Sequence, residues 1–152
     1  MKIFELSNAQ SAATGFTHRF EITYADLTTA GAAHTLSLMA YTAGKGITGA
    51  AFKLVTGWVG ASVTALTIIV GWNGASVDDD NGIFTALELC EAGTEIDFAD
   101  ANGAAFATLR TGFFPVEAGT YEAVFTATGA NINVCTAGEI HLYLRVVDLA
   151  KV

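Results

Sequence analysis

The sequence predicts one all-β domain of the sandwich or jelly-roll kind, with about eight strands. Three observations favour this fold class. Segments in which apolar and polar residues alternate recur along the chain, as is typical of strands with one buried face. Glycine-rich turns separate these segments at intervals of roughly 10 to 20 residues. No long stretch of helical periodicity lies between them, which argues against a parallel sheet with crossover helices.

The chain length suits a single domain preceded by a short arm. The 152 residues fit one domain of ordinary size. Residues 1–15 join a short apolar piece, Ile3 to Leu6, to a run of small and polar residues. We expect an extended N-terminal arm over 1–15 and the β-sandwich domain over 16–152.

Alternation predicts the individual strands. They are expected over 16–24, 34–41, 47–56, 63–71, 105–113, 120–128 and 139–148. The last is the clearest, because Ile140 and Leu142 point to one face while His141 points to the other. Residues 83–89 fit a short strand as well as a short helix, so a helical segment near 83–91 stays open. Ile69 lies opposite the apolar face of the strand 63–71, which indicates burial on both sides or contact with a partner.

Composition and charge exclude several partner classes. Apolar residues make up 52% of the chain and charged residues only 14%, whereas about a quarter is usual. A surface so poor in charge is typical of a protein that partners cover. The net charge is −8 with seven lysines and arginines, so neither nucleic acid nor an anionic membrane surface is an expected partner. The uncharged run 54–77 is long enough to cross a bilayer, but its glycines and β-branched residues favour two strands joined by a turn.

Acidic residues are concentrated in one region. Eight of the fifteen lie between residues 78 and 100, and no lysine or arginine occurs between Lys53 and Arg110. This predicts a negative edge, which is either a solvated face or a docking face for a basic partner or a cation. The run Asp78 to Gly82 is expected in a loop over 73–82, and a second acidic loop over 91–103. Val77 occupies the first ligand position of an EF-hand loop, so that motif is excluded.

Motifs for catalysis or cofactor binding are absent from the sequence. Three dispersed histidines, His18, His34 and His141, lack the spacing of zinc ligands. No nucleophile elbow and no phosphate-binding glycine loop occurs. Cys90 and Cys135 are read as buried thiols, with a single bridge between them as the alternative. We therefore expect no enzyme, no metal and no cofactor.

The order of strands and turns resembles that of small head-associated proteins of tailed bacteriophages. The resemblance covers residues 16–148 and rests on the segments 25–28 (ADLT), 35–38 (TLSL), 47–56 (ITGAAFKLVT), 64–71 (TALTIIVG), 124–133 (VFTATGANIN) and 136–139 (TAGE). It implies a virion structural protein of the capsid decoration, or cement, type, assembled in the bacterial cytoplasm and bound to the capsid exterior. The implied partners are the major capsid protein and further copies of the chain, as a homotrimer.

Contact residues for such partners are expected in two places. They are Ile3, Phe4 and Leu6 in the arm, and Asp78, Asp79, Asp80, Asp97 and Asp100 in the acidic loops. One alternative is a receptor- or carbohydrate-binding jelly roll of a phage fibre, which would use exposed aromatic rings at Trp58, Trp72 and Tyr143. Another is an enzyme on a β-sandwich, which would need a pocket of clustered carboxylates or histidines.

Overall fold

Two antiparallel four-stranded sheets pack face to face in a computed structural model that describes residues 1–76, 78–90 and 115–151. The predicted all-β sandwich is thus confirmed. The first sheet holds the strands β1 (Lys2–Glu5), β2 (His18–Thr23), β4 (Lys45–Gly60) and β8 (Cys135–Asp148), in the order β1-β2-β8-β4. The second holds β3 (Ala33–Tyr41), β5 (Ala65–Gly74), β6 (Asp78–Glu88) and β7 (Gly119–Thr128), in the order β3-β7-β5-β6.

Strands from the first part of the chain pair with strands from its last part. β2 pairs with β8 and β3 pairs with β7, while β5 pairs with both β6 and β7. The chain crosses between the two sheets at each step from β2 to β5, which is the winding of a jelly roll. Three short 3₁₀ turns, Tyr24–Asp26, Ile132–Val134 and Leu149–Lys151, join or end the strands.

The core lies between the sheets and consists of the inward residues of each alternating strand. In β8, Ile140, Leu142 and Leu144 are at most 1% exposed, as the alternation predicts. Aromatic rings fill the middle of the sandwich. Phe52 meets Phe84 edge to face, with ring centroids 5.9 Å apart, a geometry that aromatic pairs favour.

Leu89 joins the two sheets at one end of the sandwich. Its N–H donates to the carbonyl of Leu66 in β5 at 2.7 Å, and its carbonyl accepts the N–H of Trp58 in β4 at 2.9 Å. One residue is therefore hydrogen-bonded to the second sheet through its donor and to the first sheet through its acceptor.

The N-terminal segment differs from the extended arm predicted over residues 1–15. β1 pairs along β2 in continuous register, from Lys2 opposite Glu21 to Glu5 opposite His18. The helix α1 follows over Asn8–Thr14. Ser7 and Gln10 form a capping box at its start, and Gly15 ends it with a φ of 78°. A serine three residues before a glutamine is a helix-start signal, and glycine adopts this φ without strain.

The acidic run at residue 78 also differs from prediction. Residues 78–82 were expected in a loop, but β6 begins at Asp78 and pairs with the end of β5. Residues 83–88 belong to the same strand, so the helical alternative is wrong there. The predicted acidic loop at 91–103 and the predicted strand at 105–113 lie outside the described residues.

Candidate partner-binding surfaces

The N-terminal edge offers one exposed apolar side chain among the three predicted contact residues. Ile3 is 50% exposed. Phe4 is partly covered, because the guanidinium of Arg19 stacks over its ring at 4.5 Å from the centroid. Leu6 is half-buried, and its N–H donates to the carbonyl of Thr17 at 2.8 Å. Ile3 alone thus presents an apolar surface at this edge.

The start of β6 forms a large β-bulge in its pairing with β5. Val70 stands opposite Phe84 and Trp72 opposite Asp79, so four residues, 80–83, face the single residue Gly71. A Cβ on Gly71 would overlap the carbonyl oxygen of Asp79. The absence of a side chain at Gly71 therefore lets the acidic backbone lie directly over β5.

A second close approach fixes the same bulge. A Cβ on Gly82 would overlap the six-membered ring of Trp72, which is only 1% exposed. The backbone at Gly82 thus rests flat against a buried indole. These two contacts hold the bulge in place.

Asp78, Asp80 and Glu122 lie close enough on the outer face of the second sheet for their charges to interact, and we call these three residues the acidic patch. Asp78 and Asp80 are exposed. Burial, followed by the nearby charges of Asp80 and Asp78, raises the pKa of Glu122. Burial, followed by the negative charges of Glu117, Asp78 and Glu122, also raises the pKa of Tyr41.

The acidic patch only partly matches the predicted residues. Asp78 and Asp80 belong to it, whereas Asp79 is half-buried. Asp97 and Asp100 lie outside the described residues. Glu122 was missed, although its position between the inward residues Tyr121 and Ala123 marks it as outward-facing.

A charged cleft of about 300 Å³ lies on the outer face of the first sheet. Its lining includes Glu21, Asp26 and Glu139 together with Lys2. Beside it, His141 Nε2 lies 2.8 Å from Glu139 Oε1 and 3.9 Å from Glu21 Oε1. Alternation in the sequence places Glu139 and His141 on one outward face and Glu21 on the outward face of its own strand. The pairing of β2 with β8, which sets Glu21 opposite His141, is not visible in the sequence. The guanidinium of Arg19 also forms an ion pair with Glu21 Oε1 at 2.8 Å, so opposite charges offset one another within this cluster.

His18 is a structural histidine. It is half-buried, and its Nδ1 lies 2.8 Å from the hydroxyl of Thr17. Burial lowers its pKa, a shift that Lys45 increases and Glu5 opposes. The neutral ring is the form that the fold favours.

Both thiols are free. Cys135 is buried and Cys90 is half-buried. Burial, together with the charge and hydrogen bond of Glu88, raises the pKa of Cys90 to about 11. A thiol with such a pKa is almost wholly protonated at neutral pH and is a poor nucleophile.

Metal ligands do not cluster in the described part of the chain. Over residues 1–76, 78–90 and 115–151, no three His, Cys, Asp or Glu side chains are placed to hold a metal ion. Within those same ranges, no helix has both the length and the apolar character needed to cross a membrane.

The aromatic residues proposed for sugar binding are largely inside the fold. Trp58 is 2% exposed and Trp72 is 1% exposed. Tyr143 is half-buried and packs against Phe16, with ring centroids 5.8 Å apart. Neither tryptophan can present its ring face to a ligand.

No family model, no curated protein and no solved structure matches this chain. Its fold and its candidate surfaces therefore rest on its own residues.

Proposed function

We propose that the chain is a virion structural protein of the capsid decoration type, which binds the outer surface of a phage capsid and stabilises contacts between major capsid subunits. The acidic patch is the observation that supports this most directly. It gathers negative charge on one face of a chain in which only 14% of the residues are charged. Such a face would dock on a basic partner surface, here one on the major capsid protein.

The bulge supports the same proposal. Asp78 and Asp80 lie on a strand whose backbone rests on Gly71 and on the ring of Trp72. Charges held on a rigid element lose little conformational freedom when they bind, so more of the interaction energy is retained as affinity.

The N-terminal edge would supply an apolar contact separate from this charged one, at the edge of the other sheet. Ile3 is half exposed at the edge of the first sheet. The resemblance to phage head proteins adds the expectation of a homotrimer on the capsid exterior, assembled in the host cytoplasm. The carbohydrate-binding alternative has less support, because both tryptophans that it needs are buried.

A binding assay on capsids tests the proposal. Purified chain is mixed with capsids of the phage that encodes it, prepared without the chain, and the fraction that sediments with the capsids is measured. We expect saturable binding that weakens as salt rises, because screening reduces the attraction between charged surfaces. Replacing Asp78 and Asp80 together by asparagine should weaken binding about tenfold or more.

A matched double variant controls for net charge. Glu139→Gln with Asp148→Asn also removes two negative charges, but from β8 in the first sheet. This control should bind within about twofold of the natural chain, and Ile3→Ser should bind more weakly. Absence of binding by the natural chain would refute the proposal, and equal losses in both double variants would refute the role of the acidic patch.

A further inference from the structure

We propose that a second copy of this chain binds along the edge of β3, over residues 33–37, by adding a strand to the second sheet. β3 is the outermost strand of that sheet and pairs only with β7 among the described strands. An edge strand leaves every other backbone N–H and C=O group free to pair with a strand from another molecule.

The backbone of β3 has room for such a partner. Apart from the ladder with β7, the backbone groups of residues 33–40 make no hydrogen bond to any residue that the structure describes. Residues 33–37 keep an unbroken register with β7, and the bulge comes only after Ser37. Ala33, Thr35 and Ser37 are exposed on the outer face.

The one protective feature along β3 is the bulge after Ser37, which leaves residues 33–37 regular. Natural proteins guard long edge strands with charged side chains, proline or very short length. β3 has nine residues, and the run 27–44 contains no lysine, arginine, aspartate, glutamate or proline. A strand of this kind is prone to pair with another strand.

Charge makes β3 the edge at which a second copy can bind. Two copies with a net charge of −8 each repel one another unless they meet where charge is absent. The other edges all carry charge: β1 has Lys2 and Glu5, β4 has Lys45 and Lys53, and β6 has three aspartates and a glutamate. The edge of β4 is also partly used, because Trp58 donates to Leu89. β3 is the edge at which self-association meets the least repulsion.

Measuring self-association of the purified chain, without capsids, tests this inference independently of the proposed function. Sedimentation across a range of concentrations should reveal a dimer, because two β3 edges that pair with each other form a closed two-fold interface. Thr35→Lys should raise the dissociation constant about tenfold or more, because lysine on an edge strand opposes pairing. Ser37→Lys should do the same.

Thr56→Lys is the matched control. Thr56 is an exposed threonine on β4, so the substitution adds the same charge to the other sheet. It should leave the dissociation constant within about twofold, and urea unfolding should show that all three variants fold. Hydrogen exchange in residues 33–37 should slow as concentration rises.

Three outcomes would overturn the inference. They are a natural chain that stays monomeric at every concentration, self-association that survives both lysine substitutions on β3, and self-association that only Thr56→Lys disrupts. The last would move the interface to β4. Each outcome leaves the capsid-binding assay unaffected, so the two proposals fail separately.

Discussion

The side chain of Glu88 binds the backbone of Leu66: one carboxylate oxygen, Oε1, accepts the Leu66 N–H at 2.9 Å. The same oxygen accepts the N–H groups of Leu89 at 3.1 Å and Cys90 at 2.9 Å. One carboxylate at the end of β6 thus gathers three backbone donors and ties the start of β5 to the residues that follow β6.

Removing this carboxylate should destabilise the fold. We expect Glu88→Ala to lower the free energy of unfolding by about 2 kcal/mol, because hydrogen bonds to charged groups are strong and the N–H groups of Leu66 and Cys90 lose this acceptor, whereas Leu89 keeps the carbonyl of Leu66. Glu88→Gln keeps an acceptor oxygen and should cost about 1 kcal/mol. Urea unfolding followed by circular dichroism measures both. Glu5→Ala, at an exposed position, should change stability by no more than about 0.5 kcal/mol.

Glu88 should also control the reactivity of Cys90. Its negative charge and hydrogen bond add to burial in raising the pKa of Cys90 to about 11. Glu88→Gln removes the charge, so more of the thiolate forms at pH 9 and alkylation by iodoacetamide should quicken several-fold at Cys90. Peptide mapping by mass spectrometry separates the two cysteines. Burial alone raises the pKa of Cys135, so equal acceleration at both sites would contradict this explanation and indicate a general opening of the fold.

The contact between Gly82 and Trp72 should tolerate no side chain. Gly82→Ala places a methyl group where the buried indole already lies, and we expect a loss of about 2 to 3 kcal/mol through overpacking. Thermal unfolding gives the measurement. Gly31→Ala is the control, since its Cβ would meet nothing nearer than 3.6 Å. A neutral Gly82→Ala would show that the bulge can shift away from Trp72.

The pKa of Glu122 predicts how stability depends on pH. A carboxyl whose pKa is raised by folding stabilises the native state while protonated, below the ordinary value of 4.5, and loses that contribution as pH rises through its native pKa. Glu122→Gln should therefore be more stable than the natural chain at pH 7, by about 0.5 kcal/mol, and equally stable near pH 3.5. Urea midpoints at the two pH values test this. A gap of the same size at both values would mean that ionisation is not its cause.

Alternation allowed most of the sandwich to be predicted from sequence. In each of β2, β3, β7 and β8, one face is turned to solvent and the other is buried. The alternation of polar and apolar residues along these strands is therefore visible in the sequence alone. The start of β6 at Asp78 could not be predicted, because aspartate, asparagine and glycine are rare in strands and common in turns. Its pairing with Trp72 and Asn73 depends on space above Gly71, which local sequence does not reveal.

The candidate surfaces were less predictable for the same reason. Asp80 and Glu122 are distant in sequence and come near each other because the backbone of β6 lies over Gly71, which pairs with Glu122. The sequence predicted that Ile3 would be available to a partner. It did not predict that β1 pairs with β2 or that the guanidinium of Arg19 covers the ring of Phe4. Side-chain contacts between neighbouring strands cannot be inferred from the sequence of one strand alone.

The double role of Leu89 bears on how the sandwich comes apart. Its donor is bonded to one layer and its acceptor to the other, so neither layer can peel away at this end while the other keeps its ladder. Fraying of either layer at this end therefore has to break a hydrogen bond of Leu89. We expect the two layers to behave as a single cooperative unit, although no disulfide in the described residues joins them.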